Sequence, residues 1–152
     1  MPRKTTEDRA REELEVGKRP STAAGEFVKE EIEHIRRGKH GARSARQAIA
    51  IGLSKARRAG VPLPAPAKGQ ASPRTRRSAQ RDLEVGQGRR AARAPSRRRS
   101  AAAQGALKRE PRAAASHAAL SRQARAAARR RRAPAGAKTR TPLKARRRNP
   151  AR

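Results

Sequence analysis

The chain has 152 residues and a formal net charge of +30, with one Phe, no Trp, no Tyr and no Cys. Hydrophobic residues make up 34% and charged residues 36%, a balance that offers too little burial to order the whole length. Disulfides and thiolate metal sites are excluded, and no apolar run approaches the roughly 20 residues of a membrane-spanning helix.

Charge is unevenly placed. Residues 1–33 hold nine acids and seven bases, whereas the rest of the chain holds 35 bases and three acids. Arg outnumbers Lys 33 to 9. A segment of that sign and density needs a polyanion, nucleic acid before anionic membrane.

In chain order, residues 1–20 are polar, with a marginal helix over "TEDRAREELEV", Thr6 as its cap and Gly17 as its stop. The start lacks the apolar core of a secretion signal. From residue 21 the pattern changes. Ser21 and Thr22 are cap candidates, and Val28, Ile32 and Ile35 fall on one helical stripe with Phe27 at its edge. Acids come early and bases late, which suits the helix dipole, and Gly38 is a natural stop.

The loop "GKHGAR" leads to "SARQAIAIGLSKARRAG", residues 44–60. Ser44 and Gln47 have capping-box spacing. Ala45, Ile49, Gly52, Leu53 and Ala56 share a face, with Ile51 pointing away as a candidate contact for a second copy or a partner. Gly60 and the prolines after it end the helix. The two helices are expected to form a hairpin domain over residues 21–61, too small to be stable without help.

Residues 62–100 read as a Pro/Gly/Arg-rich linker, and 101–133 as an Ala/Arg-rich segment whose helix is opposed by like charges such as Arg125 and Arg129. Residues 134–152 read as a disordered basic tail. "LEVG" occurs at 14–17 and 83–86, too short a match to establish a repeat. The expected fold is therefore mainly α: a short helical hairpin with long disordered, partly helix-prone basic arms.

The basic clusters carry the functional signal. Candidate nucleic-acid-binding residues are Arg57 and Arg58; Arg74, Arg76 and Arg77; Arg97, Arg98 and Arg99; Arg129, Arg130, Arg131 and Arg132; and Arg146, Arg147 and Arg148. Each phosphate neutralised releases condensed counterions. No recognition-helix array, zinc finger or aromatic RNA-binding signature accompanies them. Among the histidines, His34 lies four after Glu30, but no further ligand is visible in the sequence, so no metal site, cofactor or catalytic set is expected.

"SPRT" at 72–75 and "TPLK" at 141–144 are similar to the Ser/Thr-Pro-basic turns of linker-histone tails, and residues 61–152 resemble bacterial histone H1-like proteins in composition, with Arg where those favour Lys. Residues 26–61 resemble a small bacterial domain family of unknown function, whose second helix reads like "RQAIAIALSEARRAG". The matching residues run from Arg46 to Ile51 and include Leu53, Ser54 and Ala56 to Gly60; Gly52 replaces an Ala and Lys55 a Glu. That resemblance brings no activity or site.

The expected function is non-specific nucleic-acid binding in the cytoplasm, as a nucleoid-associated, non-enzymatic protein that favours double-stranded DNA over RNA. The rivals are an RNA-binding or ribosome-associated protein, and an interaction module in which the hairpin dimerises or docks a protein partner.

Overall fold

The computed structural model describes residues 4–132, which form six α-helices and one 3-10 turn; no strand is present among them. Helix α1 (Thr6–Glu15) is capped by Thr5, one residue earlier than expected. The Thr5 hydroxyl accepts from the Asp8 N–H at 3.1 Å, and the Asp8 carboxylate accepts from the Thr5 N–H at 3.0 Å. The helix is more than a marginal turn because it docks: Ala10 is buried, Leu14 packs against the same core, and Arg9 reaches Glu26 at 2.7 Å.

Helix α2 (Pro20–Arg36) starts upstream of Ser21 and Thr22, with Pro at the first turn, where its missing N–H costs nothing. Gly38, at φ +76°, ends it. The Gly38 and Lys39 N–H groups donate to the Ile35 and His34 carbonyls, satisfying the last turn.

Helix α3 (Ala45–Arg58) is capped by Ser44, whose hydroxyl accepts from the Gln47 N–H at 3.2 Å. Gln47 reaches back one residue further than expected, accepting from the Arg43 N–H at 2.8 Å.

The α2–α3 interface is the most extensive among the described residues. On α3, Ala45, Ala48, Gly52 and Ala56 are buried, while Ile49 and Leu53 are only half-buried. The expected stripe is thus rotated so that small residues lie deepest, against Phe27, Val28 and Ile35. Ile51 is half-buried rather than open to solvent.

Two small cores result. Ala10, Ala23, Ala24, Phe27, Ala56 and Val61 form one, with Leu14, Leu53 and Leu63 at its edge. Ile35, Ala42, Ala48, Ala114 and Ala115 form the other, beside Ile32.

Beyond the hairpin the structure departs from a linker. Helix α4 (Pro73–Gly86) occupies the middle of residues 62–100. The Ser72 hydroxyl accepts from the Thr75 N–H at 3.1 Å and Pro73 opens the helix, so the "SPRT" stretch is a helix start. Ala79, Asp82 and Leu83 are buried, and α4 packs on α3.

The two "LEVG" copies play different parts. Gly17 ends α1 at φ +78°, whereas Gly86 lies in α4 against the Arg57 carbonyl, where any β-carbon would overlap.

Helices α5 (Arg97–Arg109) and α6 (His117–Arg132) bury no residue, but the 3-10 turn between them, Arg112–Ala115, does. Gly41 N–H donates to the Leu107 carbonyl at 2.8 Å and Ala42 N–H to the Pro111 carbonyl at 3.2 Å. Arg36 adds a bond to the Ala115 carbonyl at 3.0 Å. The Ala-rich segment is therefore clasped to the α2–α3 loop instead of lying apart from the hairpin. The tail expected at 134–152 lies outside the described residues.

Candidate nucleic-acid interface

Of the sequence-predicted arginines, Arg57 is a correction. It is 6% exposed. Its Nε donates to the Leu63 carbonyl at 3.1 Å and its Nη2 to the Pro64 carbonyl at 3.1 Å, pinning the chain after α3. Burial pushes its guanidinium below the ordinary arginine value, and Asp82 opposes that shift. Arginine remains protonated regardless, but this one faces the fold and not solvent phosphate.

Arg58 is exposed yet holds Asp82 at 2.8 Å, joining α3 to α4. Arg76 is half-buried and donates to the Pro66 carbonyl at 3.3 Å.

The other described candidates are open. Arg74 and Arg77 lie on the exposed side of α4, opposite Ala79 and Leu83. Arg81, which the sequence reading passed over, continues their row at i, i+3, i+7 spacing. With Arg90, Gln80 and Glu84 they line one shallow groove. The row spans about 10 Å along the helix, since each residue rises about 1.5 Å.

A second groove, at the start of α3, is rimmed by Arg43, Arg46 and Arg122, also exposed and also absent from the sequence candidates. Arg97, Arg98 and Arg99 open α5, and Arg129, Arg130, Arg131 and Arg132 close α6, all exposed. Arg146, Arg147 and Arg148 lie outside the described residues.

The acidic groups are mostly engaged elsewhere. Glu31 is 1% exposed. Its Oε2 lies 2.6 Å from Lys55 Nζ and its Oε1 3.0 Å from His40 Nε2. One carboxylate thus joins α2, the loop and α3. His34, one turn from Glu31, stands edge-on to His40 with ring centroids 6.4 Å apart. Desolvation first, and Lys39 next, hold His34 below the ordinary histidine value. Glu31, His34 and His40 place one donor atom each within 4.8 Å of one another. Sequence spacing pairs Glu30 with His34; they do approach, at 3.7 Å, but the convergence with His40 depends on the loop's return and has no local sequence signal.

No described helix is long and apolar enough to cross a membrane. Comparison of the chain with family models, with curated proteins and with solved structures gives no match.

Proposed function

We propose that the protein binds nucleic acid without sequence preference, and that its ligand is double-stranded DNA, which it neutralises and compacts as a histone H1-like protein of the nucleoid. The observation that carries this reading is the row Arg74, Arg77 and Arg81 in one solvent-open groove, at whose edge Arg90 pairs with Glu84 at 3.5 Å. Among the described residues Arg74, Arg77 and Arg81 have no acidic partner, so their guanidinium groups can fork onto phosphate, and a row of about 10 Å reaches two or three phosphates along a strand at roughly 3.4 Å of axis each.

Supporting it is the separation of signs. The acids of α1 and α2 pair with bases such as Arg9 and Lys55, while the arginines of α5 and α6, and those of α4 apart from Arg76, are exposed. No aromatic stacking platform exists for single-strand readout, since the single Phe is buried.

The interaction-module reading loses ground, because the apolar stripes of α2 and α3 are spent on α1, on each other and on the 3-10 turn. Among the described residues, the exposed large hydrophobic is Val16.

The test is competition binding with two unrelated DNA duplexes and a structured RNA at several salt concentrations. Equal affinity for both duplexes, stronger than for RNA, supports the proposal. In lysates, association lost to DNase but kept after RNase gives the same answer. Preference for RNA, or strong discrimination between the duplexes, would overturn it.

A further inference from the structure

The Glu31–His34–His40 cluster has a proton-count problem that points to a cation. His40 Nδ1 lies 3.0 Å from the Gly41 carbonyl, and its Nε2 lies 3.0 Å from Glu31 Oε1. Both neighbours are acceptors, and a neutral imidazole carries one N–H. With that proton on Nδ1, the Nε2 lone pair faces a buried carboxylate oxygen. A positive ion at Nε2 would satisfy both contacts with the single proton kept on Nδ1.

We propose that Glu31, His34 and His40 form a binding site for a divalent transition ion of the zinc class, with Glu31 Oε1 and His40 Nε2 as two of its donors. Two imidazoles and a carboxylate are the donor set such ions take, and three protein ligands leave a position for water. The Nδ1 contact to the Gly41 carbonyl is the outer-shell bond that orients a ligating histidine with Nε2 free.

Donors at about 2.1 Å from one ion in a tetrahedral site lie about 3.4 Å apart. From the present spread of up to 4.8 Å the side chains draw in by roughly 1.4 Å as the ion binds. Lys55 holds the other carboxylate oxygen and is 42% exposed, so it can swing outward as the ion enters.

The consequence lies next door in sequence. Gly41 and Ala42 follow His40 directly and carry the bonds to the Leu107 and Pro111 carbonyls. An ion fixing His40 would stiffen the clasp that holds the segment containing α5 and α6 to the hairpin.

The test uses the full chain stripped of metal and titrated with Co²⁺, read by visible absorption, and with Zn²⁺, read by calorimetry. One ion per chain is expected, with the intense bands of a four-coordinate cobalt site and slower hydrogen exchange at the Gly41 and Ala42 amides. His40→Gln and Glu31→Gln should each weaken uptake by about tenfold or more, and His117→Gln should leave it unchanged. Lys55→Met keeps both ligands and removes a competing charge, so it should tighten binding on the order of tenfold, even if the Glu31 variant fails to fold. Absence of stoichiometric uptake, uptake insensitive to His40→Gln, or a Lys55→Met variant that binds no better would overturn the proposal and leave the Glu31–His40 contact as a structural one.

Discussion

The Cα of Val28 lies 2.7 Å from where a β-carbon on Gly52 would stand. Helices α2 and α3 approach so closely at this point that only hydrogen fits. By propensity alone, Gly52→Ala should stabilise α3 by about 1 kcal/mol. The contact reverses the sign, because the obstacle is the Val28 backbone and overpacking costs about 1–3 kcal/mol. Gly25, also inside a helix, meets nothing within 4 Å of its own hypothetical β-carbon. Gly25→Ala should therefore raise stability by about 0.5–1 kcal/mol. Urea denaturation of both variants checks the pair; a stabilised Gly52→Ala would mean the helices are further apart than described.

Gly86 makes the corresponding contact between α4 and α3, against the Arg57 carbonyl. Gly86→Ala should lift α4 from α3 while leaving α1, α2 and α3 in place. The expected signs are protease cleavage between residues 61 and 90 and faster amide exchange in α4. Equal protection in the variant would show that residues 73–86 are not docked.

The hairpin was readable because its signals are local. Ser44 with Gln47, and the stops Gly38 and Gly60, act within a few residues, and the small face Ala45, Gly52 and Ala56 follows helical periodicity. Helix α4 is hidden by ambiguity: Ser72 followed by Pro73 suits a turn as well as a helix start, and the Pro, Gly and Arg around it suit a linker. Docking of Ala114 and Ala115 left no hydropathy signal, since alanine buries little area yet fits where nothing larger would. Arg57 resembled its neighbour Arg58 in sequence, and only the path of residues 61–64 over α3 tells a structural guanidinium from an exposed one. The Glu31 cluster needs the loop to bring His40 back, a tertiary event.

Arg57 and the α4 row should consequently separate stability from binding. Arg57→Gln removes two charge-assisted bonds to backbone carbonyls, each worth about 1.5–3 kcal/mol. It should lower the unfolding midpoint while duplex affinity of the folded protein stays within about twofold. Replacing Arg74, Arg77 and Arg81 together with Ser should leave the midpoint nearly unchanged. It should reduce the slope of log affinity against log salt by about 0.9 per lost phosphate contact. The reverse pattern would exchange the roles assigned to the two sets.

The Asp8 carboxyl is held below the ordinary aspartate value of 3.8, first through the Thr5 hydroxyl and then the Thr5 N–H. A depressed folded value means the cap contributes fully above 3.8 and loses its contribution as pH falls through the folded value. Acidification from neutral pH to well below 3.8 should fray the start of α1. In Thr5→Gly, which lacks the hydroxyl, the Asp8 titration followed by NMR should move back up toward 3.8. An unmoved titration would mean that the hydroxyl bond does not set the shift.

Helices α5 and α6 bury no residue, and the turn between them is their main anchor. Taken from the hairpin, a fragment of residues 97–132 keeps its alanines but loses the clasp at Gly41 and Ala42. Like charges one turn apart, Arg125 and Arg129 among them, then oppose the helix, and short isolated helices are marginal in water. The fragment should show little helix in dilute buffer and gain it when duplex DNA neutralises the arginines. In the full chain, Ala115→Asp places an unpartnered carboxylate in the second core and should free this segment without unfolding α1, α2 or α3. Circular dichroism should then show helix lost without DNA and recovered at saturating duplex. A fragment that is fully helical alone would mean the clasp is unnecessary, and one that stays unfolded on DNA would separate these arginines from the binding surface.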